Sequence, residues 1–536
     1  MMGLLDAPSA IMAAMRMDMA QWWVPWRRQQ AGRRVSSSAP SVAASGPRPK
    51  RKTKKMERVR RIWHSEYTTS GLCGIDRAIE VMPSFIIGLS QLSIQTEEEL
   101  PVSEANISGR PQIAPAQTVG DPRVQRSLRI ALFGFGTVGS SVARILVESQ
   151  PKGLELTHVF NRNVERKRVD WVPASVVWSA DADAVLASDV DVIVELAGGL
   201  DPAGGWVRSA LDAGKSVVTA NKKLIAFHGA ELERLAAARG GHLKYGAAVA
   251  GGIPVIPGLE QGLAGDKIER IEGILNGTCN FILSKMEDGA EYAAVLKEAQ
   301  AAGYAEADPT EDVGGFDARA KLAILMRLAL RVEVDPEEIV PRPITTITAV
   351  DFSYARDLGC TIRQVARGEQ SQGQVAATVG PMLVALRSPL AWSRGTENMV
   401  VVSGHYGGNV VFSGHGAGGH PTAVAVVSDL LSLAHGSRRV DLPATPATVS
   451  AEFEVPHYIR FLVKDRPGIV AAITTALAVE KINIRAIVQK PGYPSDALPF
   501  VVTVEPCKSS SLKKALESIR TLDCIIEEPL DLQILE

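Results

Sequence analysis

The stretch that decides the fold runs from Ile130 to Gly139 and reads Ile-Ala-Leu-Phe-Gly-Phe-Gly-Thr-Val-Gly. Its first four residues are apolar and predict a buried strand, and the apolar spacing after Gly139 predicts a helix. Glycines in this position are typical of dinucleotide binding, because they allow a tight turn, backbone approach to a pyrophosphate and close helix packing. The alternative is a glycine-rich turn without a ligand. The predicted cofactor-binding residues of this loop are Gly134, Gly136, Thr137, Val138 and Gly139.

The same alternation continues from residue 126 to about residue 248. Short apolar runs are separated by amphipathic stretches of helical length. The runs predicted as buried strands are Ile130–Phe133, Leu156–Phe160, Val190–Glu195 and Ser216–Thr219. Such alternation is typical of βαβ units around a parallel sheet. We therefore predict an α/β fold over residues 126–248, a doubly wound parallel sheet of the Rossmann type.

Cations follow the second predicted strand, at the place where an NAD enzyme carries an acidic residue for the ribose hydroxyls. This chain reads Asn161-Arg162-Asn163 there, and Lys167 follows in a second basic group. An arginine near this strand end is the expected device for the 2′-phosphate of NADP. We predict that Arg162 and Lys167 bind that phosphate and that the cofactor is NADP(H), with NAD(H) as the alternative. Both residues could instead be ordinary surface cations.

Polar residues are densest between Gly303 and Lys321. The apolar stripe that begins after Asp317 predicts a helix, which puts Asp317 and Lys321 four residues apart on one helix face. An acid and an amine side by side could hold a small polar substrate and move its proton. A surface salt bridge is the alternative explanation for the same spacing.

Four further sequence motifs occur in this chain together with the run from Ala299 to Lys321. One such motif could arise by chance, but five in a fixed order are a specific signal. The four further motifs are Glu195-Leu196-Ala197-Gly198-Gly199, Thr219-Ala220-Asn221-Lys222-Lys223, Ile274-Leu275-Asn276-Gly277-Thr278-Cys279-Asn280 and Gly416-Ala417-Gly418-Gly419-His420-Pro421-Thr422. With these motifs, the chain from Ile130 to Ala434 resembles a homoserine dehydrogenase, the NAD(P)-dependent enzyme that interconverts L-aspartate 4-semialdehyde and L-homoserine. The resemblance implies an α+β catalytic and dimerisation domain over residues 249–436.

The resemblance also implies roles for individual residues. Lys321 would donate the proton to the carbonyl oxygen, and Lys222, beside the nicotinamide and the substrate, is a second candidate for proton transfer. The residues implied to bind the substrate are Glu306, Asp312 and Asp317. Further cofactor contacts are implied for Thr219, Lys222, Gly303 and Gly418. A lysine is suited to these roles because its ammonium group can polarise a carbonyl and supply a proton.

The chain differs from many family members at a residue that helps to bind a monovalent cation. Many members have a glutamate before an Ala-x-Val-x-Gly-Gly-Ile-Pro segment, and that glutamate helps backbone carbonyls to hold sodium. This chain has Gly246 in that place. The carbonyls of Val249, Gly251 and Ile253 could still form a weak site. We therefore predict that sodium is not bound tightly.

Residues 458–536 form a second predicted unit after a linker, residues 437–457, that is rich in Pro, Ala and Thr. The predicted elements are strand Tyr458–Lys464, helix Ile469–Val479, strands Ile484–Gln489 and Phe500–Val504, helix Ser511–Ser518 and strand Ile525–Pro529. This order fits a ferredoxin-like sandwich. Through Asp465-Arg466-Pro467-Gly468 and Asn483 the unit resembles an ACT domain, a module that binds amino acids at dimer interfaces. The resemblance implies feedback inhibition by threonine; the alternative is a purely structural dimerisation module.

Composition limits the possible partners. The 58 Lys and Arg residues nearly balance the 59 Asp and Glu residues, so the whole chain has no charge that would attract nucleic acid or an anionic membrane. A long stretch without charged residues, Asn398–Ser428, contains Pro421, and we predict no membrane span. The five cysteines are scattered without a C-x-x-C pair, which predicts neither a disulfide framework nor a zinc site and favours the cytosol.

Residues 1–125 differ from the rest of the chain. The run Arg48–Arg61 carries nine Lys and Arg residues and one Glu. Such a run could contact nucleic acid or a membrane surface, or act as a targeting leader. We predict instead a basic N-terminal extension of low order, or a gene model begun too far upstream.

With these patterns, the resemblance implies a cytoplasmic, homodimeric or larger homo-oligomeric homoserine dehydrogenase that acts in threonine, methionine and isoleucine biosynthesis. One rival is another NADP-linked reductase of a small aldehyde or keto acid. A second rival is a regulatory protein that binds NADP and an amino acid without catalysis. The presence of Lys222, Asp317 and Lys321 argues against the second rival.

Overall fold

The computed structural model describes residues 126–436 and 443–536. The predictions made for residues 1–125 and for the first part of the linker lie outside these ranges. Within the described ranges, no helix is long and apolar enough to span a membrane. The cysteines found there are all free, namely Cys279, Cys360, Cys507 and Cys524.

Six parallel strands form the first sheet, in the order β3-β2-β1-β4-β5-β6. They are β1 (Leu128–Phe133), β2 (Leu154–Phe160), β3 (Val177–Ser179), β4 (Val192–Glu195), β5 (Ser216–Thr219) and β6 (Leu243–Lys244). The helices between them are α1 (Thr137–Ser149), α2 (Val164–Lys167), α3 (Ala182–Leu186), α4 (Ala203–Asp212) and α5 (Lys222–Arg239). This order is that of a Rossmann fold and confirms the predicted fold class.

Strand β1 lies inside the first sheet with helices on both of its faces. Ile130 and Leu132 join one apolar core, and Ala131 and Phe133 join the other. All four are fully buried. A parallel strand covered on both faces needs a continuous apolar run, which is why the sequence showed no alternation here.

The second domain is built on an antiparallel sheet that helices cover. The strands of this sheet are β7 (Ile268–Ile274), β9 (Cys360–Ser371), β10 (Gln374–Ala385), β11 (Glu397–Gly404) and β12 (Gly408–His415). The short strand β8 (Val332–Glu333) lies outside this sheet. Its helices are α6 (Val255–Pro257), α7 (Gly277–Glu287), α8 (Tyr292–Ala301), α9 (Thr310–Val313), α10 (Phe316–Ala329), α11 (Ala349–Asp357) and α12 (Gly419–Ala434). Gly368 of β9 lets α10 approach closely, because a Cβ atom there would lie 2.8 Å from Cγ of Met326.

The linker lies along the second domain as short strands. Strand β13 (Thr445–Pro446) pairs with β8, and β14 (Val449–Ser450) pairs with β10. The C-terminal unit then contains β15 (Glu454–Val463), α13 (Ile469–Val479), β16 (Ile484–Gln489), β17 (Leu498–Lys508), α14 (Ser509–Ile519) and β18 (Leu530–Leu535). Its strands lie in the order β18-β15-β17-β16, as the predicted ferredoxin-like sandwich requires.

The predicted last strand, Ile525–Pro529, is wrong. Ile525 makes only an isolated bridge to Val463, and the strand itself runs from Leu530 to Leu535. Pro529 lacks the N–H that a ladder needs, so regular pairing begins after it. Strand β18 pairs with β15 on one side and with β10 on the other. The sheets of the second and C-terminal domains are therefore continuous.

A buried ionic group holds the C-terminal domain against α11. Asp351 is fully buried and accepts hydrogen bonds from Arg460 Nη1 at 2.9 Å and Tyr458 Oη at 2.8 Å. Arg460 Nη1 also lies 2.7 Å from Oγ1 of Thr348, whose side chain caps α11. Since an unpaired buried carboxylate is costly, the two domains depend on this contact.

We expect Arg460→Ala to lower the free energy of unfolding by about 3–5 kcal/mol, because Asp351 would keep its charge and lose its cation. Chemical denaturation followed by circular dichroism would measure the change. The matched control is Arg466→Ala, which removes an exposed ion pair with Asp523 in the same domain and should leave stability nearly unchanged. Equal effects of both variants would contradict the structural role assigned to Arg460.

Candidate active site

The predicted glycine loop follows β1 and turns into α1. Gly134 has a φ of +109°, and a Cβ atom there would lie 3.0 Å from the carbonyl carbon and oxygen of Leu196. A Cβ atom at Gly139 would lie 2.2 Å from the carbonyl oxygen of Gly134. Both positions therefore require glycine, because neither has room for a Cβ atom. Gly134 requires it also because of its positive φ.

Space for a cofactor remains at Gly136, the second glycine of the loop. Gly136 caps α1, and a Cβ atom there would meet no atom within 4 Å. The first turn of α1 faces that open space with unpaired N–H groups, which suits a pyrophosphate. The N-terminus of α12 lies beside it, because a Cβ atom at Gly419 would be 2.9 Å from Oγ of Ser141. This brings Gly418 close to the loop, so the residues present fit a dinucleotide.

The predicted phosphate ligands lie just beyond β2. Arg162 belongs to the turn after this strand and Lys167 ends α2. Both side chains are exposed, and no ion pair joins either of them to another residue within the described ranges. They are therefore available to an anionic ligand near the carboxyl end of the sheet.

A buried carboxylate organises the carboxyl ends of β4 and β5. Glu195 is fully buried, and its Oε1 accepts hydrogen bonds from the backbone N–H groups of Ala197 and Gly198 at 2.9 and 2.8 Å. Oγ1 of Thr219 donates to the other oxygen at 2.6 Å and accepts from the N–H of Asn221. These two hydrogen bonds hold the side chain of Thr219 in place without a bound ligand. Sequence reasoning quoted Glu195 in a motif and missed this role.

The predicted catalytic residues meet at one carboxylate. Asp317, which is almost fully buried, forms an ion pair through Oδ1 with Lys222, the first residue of α5. Its Oδ2 lies 2.7 Å from Nζ of Lys321, which also donates to the carbonyl oxygen of Leu275 at 2.6 Å. Lys222 comes from the first domain and Lys321 from the second. The tertiary structure therefore joins both lysines at Asp317.

The surroundings affect the three charges differently. Burial would raise the pKa of Asp317, but the Lys321 and Lys222 ammonium groups outweigh it and hold that pKa well below its usual range. Burial opposes the charge of Lys222, yet Asp317 prevails and raises the pKa of Lys222. Burial, with help from the charge of Lys222, lowers the pKa of Lys321. Lys321 is therefore the better proton donor of the two lysines.

Asn276 connects this cluster with Asp312. Its Nδ2 donates to Oδ1 of Asp312 at 2.7 Å and to Oδ2 of Asp317 at 2.9 Å. Burial raises the pKa of Asp312, and the nearby charge of Asp317 raises it further, while the bond from Asn276 opposes both. Asp312 therefore lies beside the cluster, and its role in substrate binding stays a prediction.

Two other predicted residues lie farther out. Glu306 and Gly303 belong to an exposed loop after α8, which Oγ1 of Thr278 anchors by a 2.6 Å bond to the carbonyl oxygen of Tyr304. The side chain of Glu306 makes no hydrogen bond or ion pair with the lysines within the described residues. Its substrate contact remains a prediction.

The segment predicted as a weak sodium site lies between the two domains. The side chains of Val249 and Ile253 are buried, and the carbonyl oxygen of Ile253 already accepts from the N–H of Val255 at 2.8 Å. A carboxylate does lie beside Gly246: Oδ2 of Asp429, on α12, accepts from the Gly246 N–H at 2.7 Å. Asp429 is separated from Gly246 by 183 residues, and sequence reasoning missed it.

Asp429 borders a cavity of about 260 Å³ that Glu260 also lines. Burial raises the pKa of Asp429 to about 7, and the charge of Glu260 adds to this effect against the Gly246 bond and Lys244. A Cβ atom at position 246 would lie 3.0 Å from both carboxylate oxygens. The carboxylate thus occupies the space that a longer residue at 246 would need.

Comparisons with known proteins agree with this geometry. Family models match the NAD-binding domain of homoserine dehydrogenase at residues 134–246, homoserine dehydrogenase at 254–431 and the ACT domain at 457–524. The chain is 37% identical over 429 residues to the homoserine dehydrogenase of Mycobacterium tuberculosis, a match that covers 75% of this chain and 97% of that protein.

Solved structures show the same likeness. A homoserine dehydrogenase from Thiobacillus denitrificans has a TM-score of 0.71 and 33% identity, and the match covers 77% of this chain and 99% of that one. A hyperthermophilic archaeal homoserine dehydrogenase in complex with NADPH has a TM-score of 0.51 and 27% identity, with coverages of 59% and 100%.

A doubly wound sheet with an open glycine loop, next to a buried acid that two lysines share, defines an NAD(P)-dependent oxidoreductase. The regions matched by the family models follow one another along the chain, and the match to the relative covers most of that protein's length. The chain belongs to the homoserine dehydrogenase family and carries a C-terminal ACT domain. The predicted family and activity are confirmed.

We expect Asp429→Asn to remove a pH dependence of stability. Because the pKa of Asp429 is about 7 in the folded chain and lower when unfolded, its protonated form stabilises the fold at low pH and that contribution is lost as the pH rises from about 4 to 7. Asparagine keeps an oxygen for the Gly246 N–H. The free energy of unfolding of the variant, measured by thermal unfolding, should exceed that of the natural chain by about 1–3 kcal/mol at pH 8 and differ little from it at pH 4.

A stability difference that does not change with pH would contradict the raised pKa. The matched control is Asp523→Asn, an exposed carboxylate whose pKa is lowered by the side-chain bond to Arg466. That variant should show no gain at pH 8.

Proposed function

We propose that the chain reduces L-aspartate 4-semialdehyde to L-homoserine with NADPH, and that Lys321 supplies the proton. The observation that carries this proposal is the position of Lys321 Nζ, which is held between Oδ2 of Asp317 and the carbonyl oxygen of Leu275. A bound NADPH supplies the hydride for the carbonyl carbon. The Nζ proton goes to the carbonyl oxygen, so the aldehyde becomes an alcohol and Lys321 is left neutral.

The charges around Lys321 favour this step. Its lowered pKa makes the ammonium group a readier acid than an exposed lysine. Asp317 stays ionised because its pKa is lowered, so it holds Lys321 in place and does not compete for the proton. Lys222 remains charged beside it and can polarise the carbonyl oxygen.

The carboxylates at the same site suit the amino acid part of the substrate. Asp312 and Asp317 lie side by side, and Asn276 contacts only one oxygen of Asp312. The substrate ammonium group would bind to these carboxylates and to Glu306, whose exposed loop is anchored by Thr278, two residues after Asn276. Charge complementarity supports this orientation of the substrate.

We propose that NADPH is preferred over NADH. The support is the exposed Arg162 after β2, with Lys167 near it and no ion pair to either within the described ranges. The 2′-phosphate is a dianion that a guanidinium group can bind with two hydrogen bonds. A monovalent cation would be held weakly, by the carbonyls of Val249, Gly251 and Ile253.

We propose further that threonine inhibits the enzyme through the ACT domain. Gly468 caps α13 with a φ of +95°, and a Cβ atom added there would meet no atom within 4 Å. The N–H groups at the start of this 11-residue helix could meet a carboxylate. Inhibition would pass to the second domain through the continuous sheet at β10 and β18. A homodimer in the cytosol is the assembly and location that we propose.

Replacing Lys321 by Ala should lower kcat about a hundredfold or more and leave NADPH affinity nearly unchanged, because a positioned acid contributes about 10²–10⁴-fold. Steady-state kinetics and fluorescence titration with NADPH would measure both. Lys321→Arg is the matched variant: it keeps the charge beside Asp317 but donates a proton poorly, so it should lose kcat as well. Normal kcat in the Ala variant would remove Lys321 from the mechanism.

Arg162→Ala should weaken NADPH binding about tenfold or more and leave NADH binding nearly unchanged, since only NADPH carries the 2′-phosphate. The measurement is KM for NADPH and for NADH at saturating semialdehyde. Arg208→Ala, which breaks an ion pair with Glu231 elsewhere in the same domain, serves as control and should change neither value. Equal losses for both cofactors would contradict the assignment.

Millimolar L-threonine should inhibit the full-length enzyme, and D-threonine should not. Gly468→Ala should raise the threonine concentration needed for half inhibition, because a left-handed conformation disfavours alanine at the start of α13. Activity without threonine is the internal control for folding. A full-length enzyme that does not respond to threonine would leave the ACT domain as a dimerisation module and end the regulatory proposal.

A further inference from the structure

Asn276 follows β7 and caps α7, and it is almost fully buried. Its Oδ1 accepts a hydrogen bond from the backbone N–H of Cys279 at 2.8 Å. Its Nδ2 donates to Asp312 and to Asp317. Both protons of the amide nitrogen are therefore used on carboxylates, while the amide oxygen is used on the helix.

The helix determines which way the amide faces. The first N–H groups of α7 have no partner inside the helix, so the capping position must offer them an oxygen. This directs the NH₂ group of Asn276 away from the helix and toward Asp312 and Asp317. The capping bond and the two carboxylates thus favour the same orientation of the amide.

The amide also separates two like charges. Burial raises the pKa of Asp312, and the charge of Asp317 raises it further. A hydrogen bond to the ionised form of a carboxylate lowers its pKa. Asn276 therefore favours the ionised form of both acids and holds Oδ2 of Asp317 at the place where Lys321 Nζ lies 2.7 Å away.

We infer that Asn276 is a positioning residue for proton transfer: it acts through Asp317 and Asp312 and aligns Lys321 with the substrate carbonyl. The inference rests on the proposed role of Lys321 as proton donor. The competing explanation is that Asn276 only caps α7. The two explanations differ in what an aspartate would do at this position.

Asn276→Asp separates capping from positioning. Aspartate caps a helix about as well as asparagine, but it offers no N–H group and places a third negative charge beside Asp312 and Asp317. That charge should raise the pKa of both acids and of Lys321, which becomes a weaker proton donor. Asn276→Ala, in contrast, removes the cap and the bridge together.

The experiment measures the pH dependence of kcat and kcat/KM, together with thermal unfolding, for the natural chain and both variants. Asn276→Asp keeps the cap but buries a further carboxylate beside Asp312 and Asp317, so we expect its unfolding temperature to fall, and activity is measured well below that temperature. We also expect kcat to fall about tenfold or more and the acidic limb of kcat/KM to move up by about one pH unit. For Asn276→Ala we expect a loss of stability as well as of kcat.

Two results would overturn the inference. One is an Asn276→Asp variant whose kcat and pH profile match those of the natural chain. The other is a fall in kcat of Asn276→Asp with no movement of the acidic limb of kcat/KM, as a loss of stability alone would produce. Lys321→Ala measured in parallel keeps the two proposals apart. If Lys321→Ala is active, the proposed mechanism fails; if it is inactive while Asn276→Asp is normal, only the role of Asn276 fails.

Discussion

The active site depends on one buried charge, the carboxylate of Asp317. Removing an ionised carboxylate from water is costly unless cations and hydrogen bonds replace the lost hydration. Here Lys222 and Lys321 supply the cations and Asn276 supplies an N–H group. Because Lys222 begins a helix of the first domain and Asp317 lies in the second, the same charge also holds the two domains together.

The two lysines differ in how much of the side chain is exposed to solvent, and their pKa values shift in opposite directions. The Lys222 side chain is 39% exposed and that of Lys321 is 12% exposed, although both contact Asp317. Partial solvation lets the attraction of Asp317 prevail at Lys222, while burial prevails at Lys321 and lowers its pKa. One carboxylate thereby supports a permanent cation and a proton donor.

The continuous sheet gives the ACT domain a physical connection to this site. Strand β18 pairs with β10, and β10 pairs along its whole length with β9. Strand β9 carries Gln364, whose Nε2 lies 3.5 Å from the carbonyl oxygen of Asp312. A shift of the C-terminal domain would be transmitted through backbone hydrogen bonds, and the Asp351–Arg460 contact would limit it.

The sequence by itself determined the elements whose signals are local. The strand Ser216–Thr219 and the helix Ile469–Val479 have the predicted bounds, and the glycine loop lies between a strand and a helix as predicted. The i,i+4 spacing also placed Asp317 beside Lys321. Only the tertiary structure decided the contact of Lys222 with Asp317, the carboxylate of Asp429 beside Gly246, and the pairing of β18 with β10. These join residues far apart in the chain, and pKa shifts follow from burial, which packing alone creates.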